Sequence, residues 1–129
     1  MRVRSPSVRA MPQPEARRVE KPWGHERIWA HTERYVGKLL VIEPGKRLSL
    51  QKHLRKDESI YVVAGRLRLY LEDDDGSVRI EELGPGEHRR IAPGRIHRFE
   101  ATDVRVELLE VSTPELDDVV RLEDDFGRA

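Results

Sequence analysis

The chain contains no cysteine in 129 residues. That excludes a disulfide framework and any metal site built on thiolates. It also has no net charge, 24 basic residues being matched by 24 acidic ones, so there is no electrostatic reason to expect nucleic acid or an anionic membrane as a partner. No stretch of about 18 apolar residues exists to span a bilayer, and the start of the chain has no continuous apolar core of the kind a secretory signal carries. The cytoplasm is the expected location. No convincing long helical pattern occurs; the apolar residues, 37% of the chain, fall mostly in short alternating runs.

Those runs read as strands. Residues 1–18 hold Pro6, Pro12, Pro14 and five arginines without an apolar period, and are expected to form a flexible arm ahead of a single domain over 19–129. Alternating residues follow up to Trp29 and from Tyr35 to Ile42, and Leu67, Leu69 and Leu71 alternate with Arg66, Arg68 and Tyr70. Asp73-Asp74-Asp75-Gly76 is a hairpin turn in which glycine supplies the positive φ. Further strands are expected near Val78 to Glu82, His88 to Ile91, His97 to Ala101 and Val104 to Val111. Many short strands separated by regular turns imply an all-β sandwich or barrel. Trp23 and Trp29 are expected to pack, and Arg66, Arg68, Arg89 and Arg90 to lie on a solvated sheet face. His25, His31 and His88 read as structural or exposed.

The chemistry concentrates between Gly45 and Gly65. Successive side chains on a strand point to opposite faces, so Ser49, Gln51 and His53 share one. The polar turn His53-Leu54-Arg55-Lys56-Asp57 then reverses the chain and brings Glu58 back beside His53. A later stretch from Gly86 to Ala101 supplies His97, and Gln51, His53, Glu58 and His97 together read as one metal site. With no thiolate present the ion is held by N and O atoms, which suits a divalent Mn, Fe, Co, Ni, Cu or Zn without choosing among them.

The spacing of Gly45, Gln51, His53, Glu58 and Gly65 resembles the cupin signature, with Gln51 in place of the first histidine. Gly86, Gly94 and His97 are similar to its second half, although Ala92 and Ala101 replace the usual proline and asparagine. The resemblance narrows the fold to the cupin double-stranded β-helix, a jelly-roll barrel. Lys21-Pro22-Trp23-Gly24, Leu48 to His53 and the end from Val120 to Arg128 resemble the cupin domain of type II phosphomannose isomerases, from about Lys21 to Arg128. Lys56 stands where that family tends to carry arginine, and Ser59-Ile60 where it tends to carry His-Trp. The nucleotidyltransferase domain of bifunctional members is absent from these residues, as is any Gly-rich phosphate loop.

This resemblance implies a metal-dependent isomerase interconverting mannose 6-phosphate and fructose 6-phosphate. The ion would stabilise an enediolate oxygen while an unidentified base moves the proton. Lys46, Arg95, Arg121 and Arg128 are the candidates to hold the sugar phosphate. The alternatives are a non-catalytic sugar-binding cupin and a metal-dependent dioxygenase. A homodimer is expected from the small size and the sheet edges that need cover. Val119 to Leu122 is expected to pack on the barrel. Removal of residues 114–129 is expected to leave the metal bound, because the four ligands lie upstream.

Overall fold

The computed structural model describes residues 1–3 and 15–129; most of the expected arm falls outside the described residues. Among them, eleven strands occur and no helix: β1 Arg17–Lys21, β2 Gly24–His31, β3 Val36–Ile42, β4 Leu50–Lys52, β5 Glu58–Ala64, β6 Leu67–Glu72, β7 Val78–Leu83, β8 His88–Ile91, β9 His97–Ala101, β10 Val106–Ser112 and β11 Val120–Glu123. They form two antiparallel sheets, ordered β1-β2-β3-β10-β5-β8 and β11-β4-β9-β6-β7. Arg17 and Arg18 belong to β1, paired with Ile28 and Arg27.

Period-two alternation places one face of each strand inside. On β10, Val106 and Leu108 are fully buried while Leu109 and Val111 face outward; Leu67 and Leu69 do the same work on β6. The two inner faces meet in one apolar cluster in which Ile42, Ile60, Val62 and Leu108 of the first sheet pack with Leu67, Leu69, Leu83 and Phe99 of the second. Gly65 closes β5 at φ +81°, and a Cβ there would lie 2.2 Å from the Arg105 carbonyl oxygen. Only glycine fits such a turn without strain, which accounts for the last glycine of the metal-site stretch.

Trp23 is buried as expected, but Trp29 is 53% exposed. Its indole packs against Gly37, where a Cβ would lie 2.7 Å from the ring. Arg66, Arg68, Arg89 and Arg90 stand on outer surfaces paired with Glu82, Glu100, Glu81 and Asp57. After β10 the chain turns back, and β11 pairs with β4, Arg121 opposite Gln51. The end of the chain is thus part of a sheet: Val119 lines the interior pocket, whereas Leu122 is 47% exposed.

Candidate metal centre

Three strands deliver the ligands. His53 follows the end of β4, the loop from Leu54 to Asp57 reverses direction, Glu58 opens β5, and His97 opens β9 with its Cα opposite Gln51. One ligand atom each from His53, Glu58 and His97 lies within 4.8 Å of the others. All three residues are buried, and the two imidazole centroids are 5.0 Å apart.

The outer nitrogens of both rings fix which tautomer faces inward. His53 Nδ1–H donates to the Asp118 carbonyl at 2.5 Å, and His97 Nδ1–H donates to the Arg95 carbonyl at 3.0 Å. A carbonyl only accepts, so each Nε2 carries a lone pair, the state in which histidine ligates a metal. Those nitrogens lie 3.3 and 3.5 Å from the Glu58 oxygens. Neither Nε2 nor either Glu58 oxygen makes an aligned hydrogen bond, although the Lys56 ammonium stands 3.0 Å from Glu58 Oε2. Two lone-pair nitrogens facing a carboxylate with no donor between them are costly; a divalent cation satisfies all of these atoms at once. The residues present therefore fit a metal ion. Burial also pushes the His97 pKa down, keeping that ring neutral. Burial alone would raise the Glu58 carboxyl, but positive charge beside it, the Lys56 ammonium at 3.0 Å, holds it down at about 2.

Lys56 belongs to the same centre, although its position in the sequence gave no sign of it. Its Nζ donates to Glu110 at 3.2 Å and lies 3.0 Å from Glu58. Burial disfavours the ammonium, yet Glu110 and Glu58 outweigh it and hold its pKa above the ordinary lysine value. Glu110 in turn is pushed up by burial and by Glu58. Lys38 sits across from Glu110 on β3 and meets Glu26 at 3.4 Å. A row of buried alternating charges thus crosses the inner face, Glu26, Lys38, Glu110, Lys56, Glu58. The signal that could have revealed it is parity: Glu110 falls two residues after inward Leu108, and Lys38 two before inward Leu40.

The remaining candidates divide. Gln51, Arg121 and Arg128 line the pocket that also holds His53, Lys38 and Lys56. Gln51 Oε1 accepts from Ser49 Oγ at 2.7 Å. Arg128 is tied to Asp124 through its backbone N–H, Nε and Nη2, while the buried Arg121 Nε has no partner among the described residues. Arg95 lies in another cleft, paired with Asp74, and Lys46 stands over the Phe126 ring at 5.9 Å. Neither lines the pocket.

Asp118 was not foreseen. Its carboxylate accepts from the backbone N–H groups of Leu54, Arg55 and Lys56 at 3.1, 2.7 and 2.9 Å. Those donors bring its carboxyl down to about 2. No local pattern could point to it, since it acts across 65 residues of chain.

A family model for the C-terminal domain of mannose-6-phosphate isomerases matches residues 11–124. The mannose-1-phosphate guanylyltransferase ManC of Salmonella typhimurium is 38% identical over 87% of this chain and 23% of its own length. The mannose-1-phosphate guanylyltransferase of Escherichia coli is 35% identical with the same coverage. The chain spans about a quarter of the curated relatives it matches. Among solved structures, Bacillus subtilis oxalate decarboxylase superposes with a TM-score of 0.74 at 20% identity, over 83% of this chain and 30% of that one. That likeness establishes the expected cupin jelly roll. The relatives correct the expected activity: they are named for guanylyl transfer, not for isomerising mannose 6-phosphate.

Proposed function

The chain belongs to the mannose-6-phosphate isomerase C-terminal family, and we propose that it is a metal-binding cupin module that takes up a mannose phosphate for guanylyl transfer. The observation that carries this reading is the buried cluster of inward-facing acceptors on His53, Glu58 and His97, joined through His53 to a pocket that Lys38, Lys56 and Arg121 also line. Gln51 completes the ligand set as a neutral fourth donor, and Zn, Mn, Co, Ni or Fe in the divalent state suits such N and O ligands. A bound ion supplies Lewis acidity toward the ligand's oxygens.

The charge balance favours an anion. Three carboxylates, Glu26, Glu58 and Glu110, face two ammonium groups, Lys38 and Lys56. With a divalent ion held by His53, Glu58 and His97, that excess of one negative charge would become one positive charge. Glu58 would then face the ion, leaving Lys56 paired with Glu110 alone at the pocket wall beside the unpartnered Arg121 Nε. A phosphate meets these groups through charge-assisted hydrogen bonds, and the sugar hydroxyls reach the pocket wall. The names of the relatives support mannose 1-phosphate as the ligand.

Calorimetry on the metal-loaded protein tests this. Mannose 1-phosphate binds at least about tenfold tighter than mannose, as one charge-assisted contact requires, and a chelator removes the difference. Equal binding of the two, or binding that ignores the metal, overturns the reading. Release of pyrophosphate from GTP and mannose 1-phosphate by this chain alone would replace it with the relatives' named activity. As its assembly we propose a homodimer, supported by the exposed Trp29, Tyr61, Leu109 and Val111 on the outer face of the first sheet; a monomeric mass at micromolar concentration would rule it out.

A further inference from the structure

The segment between β10 and β11 holds the loop that carries His53. Four successive backbone N–H groups of that loop, Leu54 to Asp57, all donate to it. The first three go to the Asp118 carboxylate, and the Asp57 N–H goes to Thr113 Oγ1 at 3.0 Å. Thr113 N–H returns a bond to the Asp57 carbonyl at 3.0 Å. In addition, the Asp118 carbonyl takes the His53 Nδ1 proton. One aspartate therefore fixes the loop through its side chain and the imidazole through its backbone.

We propose that Asp118 is a positioning residue of the metal centre, and that ion binding and docking of the Thr113–Arg121 strap are coupled. The proposal rests on the metal reading above and goes beyond it. Without the strap, four loop N–H groups lose their acceptors and His53 loses the bond that selects its tautomer, so its Nε2 is no longer held toward Glu58. A partner that orients a histidine ligand is worth about 10- to 100-fold in metal affinity. Coupling is reciprocal, so the ion must tighten the strap by the factor by which the strap tightens the ion. Removing residues 114–129 therefore weakens metal binding rather than sparing it: the ligands lie upstream, but what holds one of them does not.

The test uses the full chain with Zn²⁺ and Mn²⁺ as probes. Asp118→Ala lowers affinity about 10- to 100-fold in chelator competition, while Asp75→Ala, which removes a comparable turn carboxylate bonded to Ser77, leaves it unchanged. In ¹⁵N spectra His53 of the natural protein is protonated at Nδ1; Asp118→Ala keeps the carbonyl that accepts this proton but loses the carboxylate that docks it on the loop, and shows a tautomer mixture, whereas Asp75→Ala does not. In the natural protein, adding the ion slows amide exchange at Leu54 to Lys56 and across the strap. Unchanged affinity in Asp118→Ala overturns the coupling. If that variant does not fold, exchange in the natural protein decides alone: rates that ignore a bound ion overturn it. Absence of any binding by the natural protein overturns the metal reading itself, and the coupling with it.

Discussion

The two ends of the barrel interior are built by the same strands. On β10 the inward residues run Val106, Leu108, Glu110, Ser112; on β5 they run Val62, Ile60, Glu58; on β3, Ile42, Leu40, Lys38. At one end every inward position is apolar, and burying such side chains contributes about 1.5 to 3 kcal/mol each. At the other end charges of both signs are equally buried, and desolvating them costs several kcal/mol per ion before pairing offsets it. The backbone is indifferent to which occupies a given inward position. Stability thus comes from the apolar end, and the charged end is tolerated because that end supports it.

Unpairing the charged end has the largest expected effect. Lys56→Met leaves Glu58 and Glu110 facing each other in a closed space, and with chelator present it costs about 3 to 5 kcal/mol, read from denaturant unfolding. Adding Glu110→Leu to that variant recovers most of the loss, since an apolar replacement of a buried pair is often neutral. Excess divalent ion stabilises Lys56→Met more than the natural protein, because the ion takes over the Glu58 charge. If the single variant loses under about 1 kcal/mol, water reaches this end and it is not a low-dielectric site.

Cutting the apolar end should act on stability alone. Leu108→Ala costs about 2 to 5 kcal/mol through lost burial and the cavity left behind. Metal stoichiometry, measured by elemental analysis of the folded protein, stays at the natural value. His53→Ala shows the converse. It removes an orphaned acceptor along with one bond to Asp118, so stability without metal changes by roughly 1 kcal/mol or less, yet bound metal falls sharply. His25→Ala, on the outer surface, retains it.

The apolar end was the legible one. Alternation from Tyr35 to Ile42 and in Leu67, Leu69, Leu71 marks strands without tertiary information, and the Gly45–Gly65 spacing brought out His53 and Glu58. The charged end was harder to read, because Glu26, Lys38, Lys56 and Glu110 look like solvated positions in a chain that is 37% charged; parity with Leu40 and Leu108 marks Lys38 and Glu110, but the pairing of strands is what shows that the four face one another. β1 and β11 are charged segments that become strands by joining edges built elsewhere in the chain, which periodicity cannot anticipate. Trp29 misled for the opposite reason: its size suggests burial, whereas its parity puts it outside.

The smallest effect expected is that of acid, and it separates the strap and tail from the barrel. The Arg128 side chain, with its backbone N–H, holds the Asp124 carboxyl at about 2, and three loop N–H groups do the same for Asp118. Both folded values lie below the ordinary 3.8 of an unfolded chain. Their contribution is therefore complete above about pH 4 and is lost as pH falls from there toward 2. Glu110 has the opposite sign. Its folded pKa lies above the ordinary 4.5, so the penalty for burying its charge is relieved as pH falls through that raised value. In metal-free protein taken from pH 5 to pH 3, the segment from Thr113 to Phe126 should lose amide protection while β3, β5 and β10 keep theirs. Loss of protection in all of these at the same pH would mean that the strap and the barrel unfold as one unit.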